Sequence, residues 1–134
     1  MTLLATLRSE GRIAAGVSVA PVTDWKLYDT IYTERYMRTP GENPDGYERG
    51  APLGYADDLA SELLIIHGTG DDNVHPQNTM QMIEALEAAG KQFDMRLYPN
   101  KRHGIAGSGT RLNLFEYITR FVLRHLGSAS TRAA

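Results

Sequence analysis

The 134-residue sequence contains no cysteine, which excludes a disulfide framework and any thiolate chemistry. That absence suits an oxidising or a reducing compartment equally and does not choose between them. No apolar run approaches the ~20 residues of a membrane span. Met1 to Gly11 lacks the charged start, apolar stretch and small-residue cleavage site of a secretory signal. An excess of one charge is also lacking. The formal net charge is −2, so neither a nucleic acid nor an anionic membrane is an expected partner. What is present is an ordinary globular balance, 42% hydrophobic and 22% charged. The length suits one domain or part of one, and is too short for a catalytic domain joined to a separate substrate-selecting domain.

The hydropathy pattern alternates between helix and strand periods. Leu3, Leu4 and Leu7 give Thr2 to Arg8 a short helical pattern that opens without a capping box. Ile13 to Ala20 reads as a strand with Val17 and Val19 on one face, ended by Pro21. Asp24 to Met37 is rich in aromatics and charges and reads as loop with short helix. Thr39 to Gly54, dense in glycine and proline, reads as a long connecting region, and long ordered loops are often functional. Leu63-Leu64-Ile65-Ile66 is a continuous apolar run, as expected of a strand covered on both faces in a parallel sheet. Pro76 suits the first turn of the next helix, where Met80, Ile83, Leu86 and Ala89 recur at helical steps until Gly90 stops it. Phe93, Met95 and Leu97 alternate with Asp94, Arg96 and Tyr98 in a further strand. Leu114, Phe115, Ile118, Phe121, Val122 and Leu126 form an apolar stripe on a last helix. Gly127 to Ala134 is small and polar, a frayed tail. The order implies an α/β fold, a parallel sheet flanked by helices. A sheet this small leaves an edge in need of cover, and the abrupt start suggests that partner strands are missing.

In parallel α/β sheets, ligands bind beyond the carboxyl ends of the strands. Pro21 to Tyr36, Gly70 to His75 and Asn100 to Ile105 all fall there. Asp71 follows one strand and His103 the next, 32 positions later, and neighbouring parallel strands bring their following loops side by side. An Asp beside a His at such an edge can orient the imidazole and stabilise its charged form. The other reading stands beside it: Asp71 or Asp72 caps the following helix and His103 is a solvent-facing turn residue. His67 fills a structural position at a strand end, and His125 lies at the surface near a helix end. His67, Asp71 and His75 stand four apart. Gly68-Thr69-Gly70 argues against helical geometry between the first two, and no dense histidine cluster supports a metal site. Asp71-Asp72-Asn73 lacks the spaced acids and terminal Glu of a calcium loop. Neither metal nor cofactor is expected. Tyr28, Tyr32 and Tyr36 recur every four residues near Trp25, either as the packed face of a short helix or as the wall of an apolar pocket with phenolic handles.

The wording of the sequence is more specific than its periodicity. Val19-Ala20-Pro21-Val22-Thr23-Asp24-Trp25 leads to Tyr32-Thr33-Glu34-Arg35-Tyr36-Met37. Later come Ile66-His67-Gly68-Thr69-Gly70-Asp71-Asp72-Asn73-Val74-His75 and His103-Gly104-Ile105-Ala106. These stretches closely resemble the catalytic α/β-hydrolase domain of serine peptidases of the prolyl oligopeptidase family, dipeptidyl peptidase IV branch, over Met1 to about Leu126. The resemblance implies that Asp71 is the triad acid and His103 the triad base. It implies that Tyr28 and Tyr32 line the pocket for the residue before the scissile bond, that Val22, Trp25 and Val74 form its apolar wall, and that Asn73 hydrogen-bonds a substrate carbonyl. A compact proline ring stacks on aromatic faces and needs no partner for its absent N–H.

The departures shape the expected function. The family's nucleophile lies in a Gly-Trp-Ser-Tyr-Gly-Gly elbow just ahead of a segment like Met1-Thr2-Leu3-Leu4. Ser9, Ser18, Ser61, Ser108, Ser128 and Ser130 all lie outside such an elbow. The oxyanion-hole donors and the β-propeller that holds the substrate N-terminus are also absent from this sequence. The expectation is therefore a partial catalytic domain over residues 1–126 with a disordered tail over 127–134. It would be part of a dipeptidyl peptidase acting on peptides with proline or alanine at the second position, and inactive alone. The alternative is a non-catalytic module that pairs through its open sheet edge with itself or with another chain, such as the N-terminal part of the same enzyme. Family members are often periplasmic, secreted or membrane-anchored, which leaves the compartment open.

Overall fold

A computed structural model describes residues 1–127; most of the tail read in the sequence, 128–134, lies outside them. The elements run α1 (Thr2–Leu7), β1 (Ala15–Val19), a 3-10 turn (Trp25–Leu27), α2 (Thr30–Met37), α3 (Pro44–Gly50), a second 3-10 segment (Pro52–Asp58), β2 (Glu62–Gly68), α4 (Gln77–Ala88), β3 (Asp94–Tyr98) and α5 (Thr110–Leu126). The three strands form one parallel sheet in the order β1-β2-β3. Val17 stands opposite Leu64, and Ile65 opposite Met95.

The apolar run of β2 is the axis of the fold. Leu63 and Ile65 project to one face, where they join Leu3 and Leu7 of α1, Met82 and Leu86 of α4, and Ala56 and Leu59. Leu64 and Ile66 project to the other, against Leu114 and Phe121 of α5 with Tyr98 and Ile105. A strand alternates its side chains between faces, so only a run without polar interruption can supply both layers. α1 lies close over β1: a Cβ at Gly16 would meet the side chain of Thr6, so glycine is required at that crossing.

Several elements depart from the sequence reading. The region 39–54 contains α3. Asn43 accepts from the Gly46 N–H at its start, Pro44 stands in its first turn, and Asp45 adds an acidic residue there. Asn43 also donates Nδ2–H to the Met37 carbonyl at the end of α2, and buried Tyr47 donates Oη–H to the Arg38 carbonyl. The glycine and proline density of this stretch is thus partly helix-start chemistry. In α4 the buried residues are Asn78, Thr79, Met82 and Leu86, while Met80 is exposed. The helical period is right, but the face is turned because two polar residues point inward to make specific hydrogen bonds. β3 buries Tyr98 and exposes Met95, and α5 exposes Phe115 and Leu126. Val19 of the outer strand β1 is exposed. His125 is more enclosed than expected: its side chain is 18% exposed, with Nδ1 3.5 Å from Glu62 Oε2 and Nε2 3.9 Å from Asp94 Oδ2.

The inward turn of α4 anchors the loop after β1. Thr23 and Asn78 are fully buried. The Thr23 backbone N–H donates to Asn78 Oδ1 at 3.0 Å, and its hydroxyl donates to the Asn78 carbonyl at 2.7 Å. An Asn78→Ala substitution strands the Thr23 N–H in the interior and is expected to cost about 1–3 kcal/mol, measured as a shift in the urea unfolding midpoint.

Candidate active site

The loops after all three strands meet at one end of the sheet. The β2 loop turns at Gly68-Thr69-Gly70 and presents Asp71, which is 3% exposed. The β3 loop packs directly on it. The Thr69 N–H donates to the Tyr98 carbonyl, the Gly70 N–H to the Lys101 carbonyl, and the Asn100 N–H to Thr69 Oγ1. A Cβ at Gly68 would collide with the Lys101 carbonyl, so glycine lets the two backbones approach closely enough for their side chains to meet.

They meet as Asp71 and His103. His103 Nδ1 lies 2.9 Å from Asp71 Oδ2, which makes Nδ1–H the donor and leaves Nε2 as the outward nitrogen of a side chain that is 44% exposed. Asp71 Oδ1 accepts the backbone N–H groups of Asn73 and Val74, each at 3.0 Å. Asp71 does not cap α4, which opens at Pro76 without a side-chain cap hydrogen bond; its two backbone donors belong to the turn ahead of that helix. Asp72 instead pairs with Arg102 across the same two loops, at 3.4 Å and in solvent. Burial pushes the Asp71 carboxyl up, but the His103 hydrogen bond, the Asn73 and Val74 N–H donors and the charge of His103 together hold it below its ordinary value.

His67 is a partner the sequence reading did not place. Its Nε2 lies 3.1 Å from Asp71 Oδ2 and 2.9 Å from the Val74 carbonyl, and its Nδ1 lies 2.6 Å from Thr79 Oγ1. The side chain is fully buried. The spacing of four between His67 and Asp71 was visible in the sequence, but a tight turn, not a helix, brings the pair together.

The loop after β1 supplies an aromatic cluster. Asp24 accepts the Lys26 N–H and starts the 3-10 turn, and Asp29 accepts the Tyr32 N–H and starts α2. Trp25 and Tyr32 stack at 6.3 Å, and Tyr28 stands edge-on to both, at 6.1 and 5.5 Å. Tyr36 continues the series at 5.1 Å from Tyr32. Trp25 is fixed by Nε1–H donation to the Gly50 carbonyl. Tyr32 is half exposed and Tyr36 more so, so these rings are not the packed face of a core helix. Tyr28 donates Oη–H to Asn73 Oδ1 at 3.1 Å, tying the aromatic cluster to the Asp71 loop. Val22 and Trp25 line a cavity of about 240 Å³ between this loop and α1. Val74 is buried, with its backbone bonded to Asp71 and His67.

The chain has known relatives in both sequence and fold. A family model described as the prolyl oligopeptidase family matches residues 1–129. The chain is 52% identical over 92 residues to "Probable dipeptidyl-aminopeptidase B" of Coccidioides posadasii (strain C735), covering 67% of this chain and 10% of that protein. It is 41% identical over 123 residues to the protein of the same name in Talaromyces stipitatus, covering 85% of this chain and 14% of that one. The crystal structure of Porphyromonas gingivalis dipeptidyl peptidase 4 superposes with a TM-score of 0.91 at 47% identity, over 92% of this chain and 18% of that chain. The chain thus spans a small part of the length of the relatives it matches.

Two consequences can be measured. Asp71 has a folded-state pKa below its reference value of 3.8. It therefore contributes stability that is present above that pH and lost as pH falls through the lowered folded value. Asp71→Asn is expected to be less stable than the unsubstituted chain at neutral pH, with the gap in urea unfolding free energy closing as pH drops below 3.8. Gly68→Ala is expected to push the β3 loop off the β2 loop, seen as loss of the His103–Asp71 contact in the variant's structure.

Proposed function

This chain belongs to the prolyl oligopeptidase family of serine peptidases, alongside dipeptidyl peptidases, and we propose that it supplies the acid and base of a dipeptidyl peptidase catalytic site, Asp71 and His103. The observation that carries the proposal is the 2.9 Å contact between His103 Nδ1 and a buried carboxylate. With Nδ1–H committed to Asp71, Nε2 carries the lone pair and is the nitrogen able to take a proton. A serine hydroxyl attacks the carbonyl of the scissile bond, and its proton passes to His103 Nε2. The tetrahedral adduct collapses as His103 returns that proton to the leaving amine. Water, deprotonated by the same nitrogen, then hydrolyses the acyl-enzyme and releases a dipeptide. Asp71 holds the tautomer and stabilises the imidazolium.

The serine comes from outside this sequence in our reading. Among the described residues, no serine hydroxyl is hydrogen-bonded to His103. Ser9 and Ser61 bond each other at the opposite end of the strands, and Ser18 is buried on β1. Residues 1–126 are accordingly one portion of a catalytic domain, and the chain alone is inactive.

Peptides with proline, or alanine, at the second position are the proposed substrates. The faces of Tyr28, Tyr32 and Trp25 suit a compact apolar ring, with Val22 and Val74 proposed as the rest of its wall. Asn73 spends its oxygen on the Tyr28 hydroxyl, which leaves its amide N–H groups to donate to a substrate carbonyl. A second reading, a non-catalytic module joined to another chain, is favoured by the outer edge of β1: among the described residues that strand pairs with β2 alone.

Hydrolysis of a Gly-Pro anilide tests the proposal. The chain alone is expected to give no turnover above background. Joined to a segment carrying a Gly-x-Ser-x-Gly elbow, it is expected to turn over the substrate, with His103→Ala lowering kcat by about 10⁴-fold or more. His103-dependent turnover by the chain alone would overturn the missing-serine argument. An elbow-bearing enzyme indifferent to His103→Ala would overturn the whole assignment.

A further inference from the structure

The reaction above uses one of the two imidazoles that touch Asp71. The other, His67, is 0% exposed, sits at the end of β2, and can reach neither substrate nor solvent. We propose that His67 is a positioning residue for the catalytic acid: clamped through Nδ1 by Thr79, it donates Nε2–H to Asp71 Oδ2 and fixes the carboxylate in line with His103. The proposal rests on the assignment of Asp71 and His103 as acid and base.

The hydrogen-bond partners assign the tautomer. Nε2 faces the Asp71 carboxylate at 3.1 Å and the Val74 carbonyl at 2.9 Å. Both are acceptors, so Nε2 must carry hydrogen. Nδ1 faces a hydroxyl, Thr79 Oγ1 at 2.6 Å, which can donate to it. Reversing the Thr79 bond would put hydrogen on both nitrogens and leave the buried Thr79 hydroxyl without an acceptor of its own. The Nε2–H tautomer gives the Thr79 hydroxyl an acceptor and leaves one hydrogen shared between Asp71 Oδ2 and the Val74 carbonyl.

The position matters because Oδ2 serves both imidazoles. The backbone N–H groups of Asn73 and Val74 hold Oδ1, and His67 adds a buried side-chain donor on Oδ2 beside His103. Thr79 belongs to α4, and His67 and Asp71 flank the turn that precedes it, so the clamp ties the acid to two elements at once. The exposed Asp72–Arg102 pair joins the same two loops and is left intact by the substitutions below.

The test is nuclear magnetic resonance on the full chain, with the Asp71 carboxyl carbon and the histidine nitrogens observed directly. In the unsubstituted chain, His67 is expected to carry its proton on Nε2. An Nδ1–H tautomer overturns the proposal whether or not any variant folds. His67→Leu, which fills the site without a donor, is expected to raise the Asp71 titration midpoint by about one pH unit, the scale of one lost hydrogen bond to a charged carboxylate. His67→Gln, whose amide N–H can replace Nε2–H, is expected to restore most of that shift, which a role in packing alone would not predict. His103→Ala serves as the separate control. If it moves the midpoint while a folded His67→Leu does not, the clamp is refuted and the acid–base pair stands. If His67→Leu moves it and His103→Ala does not, the acid–base pair is what fails.

Discussion

A carboxylate sealed from water must be surrounded by donors or give up its charge. Asp71 meets that condition with the backbone N–H groups of Asn73 and Val74 on Oδ1 and the imidazoles of His67 and His103 on Oδ2. Each donor arrives from a different constraint. The backbone pair comes from the turn that Asp71 itself closes. His67 comes from the end of β2, and His103 from a loop two elements later in the chain. Lose the close seating of the β3 loop and the carboxylate keeps its local donors but loses the only one that faces solvent. The site is therefore as much a property of the Gly68 crossing as of the two residues that would do chemistry.

That seating depends in turn on the sheet. β2 is buried on both faces and parallel to both neighbours, so the loops that follow the three strands emerge together. α4 then serves two loops through adjacent residues: Asn78 holds the β1 loop through Thr23, and Thr79 holds His67 behind Asp71. Tyr28 closes the circuit by bonding Asn73. The aromatic cluster and the Asp71–His103 pair are thus fixed to the same short stretch of one helix, which holds the two at a set distance, as the proposed substrate pocket would require.

How much of this was legible depended on whether a signal was local or collective. The β2 run announced a doubly covered strand because no polar residue breaks it. The Asp71 and His103 loops followed from strand order, and the motif wording around them carried the family. The buried face of α4 was not legible from apolar spacing, since Asn78 and Thr79 bury polar atoms that only their distant partners Thr23 and His67 can satisfy. α3 was hidden because Asn43 and Pro44, good helix starters, sit among glycines and prolines that read as loop. His67 was read as a structural residue at a strand end, but its bond to Asp71 was not legible for a related reason. A histidine at a strand end has no sequence mark to show which way its ring turns, and its partner is supplied by a turn whose geometry the glycines permit but do not specify.

The two imidazoles on Asp71 differ in what their second nitrogen meets, which is why only one of them suits the proposed role of base. Both approach Oδ2 at hydrogen-bond distance, and both are fixed by it. The difference lies in the second nitrogen. In His67 it is occupied by Thr79 and enclosed, so any proton it took would have to displace a buried hydroxyl and have nowhere to go. In His103 no hydrogen bond to Nε2 exists among the described residues, and the ring is open to solvent. A base needs one nitrogen held and the other free, and only His103 meets both conditions. The same carboxylate can therefore orient one imidazole for proton transfer while a second imidazole holds the carboxylate itself.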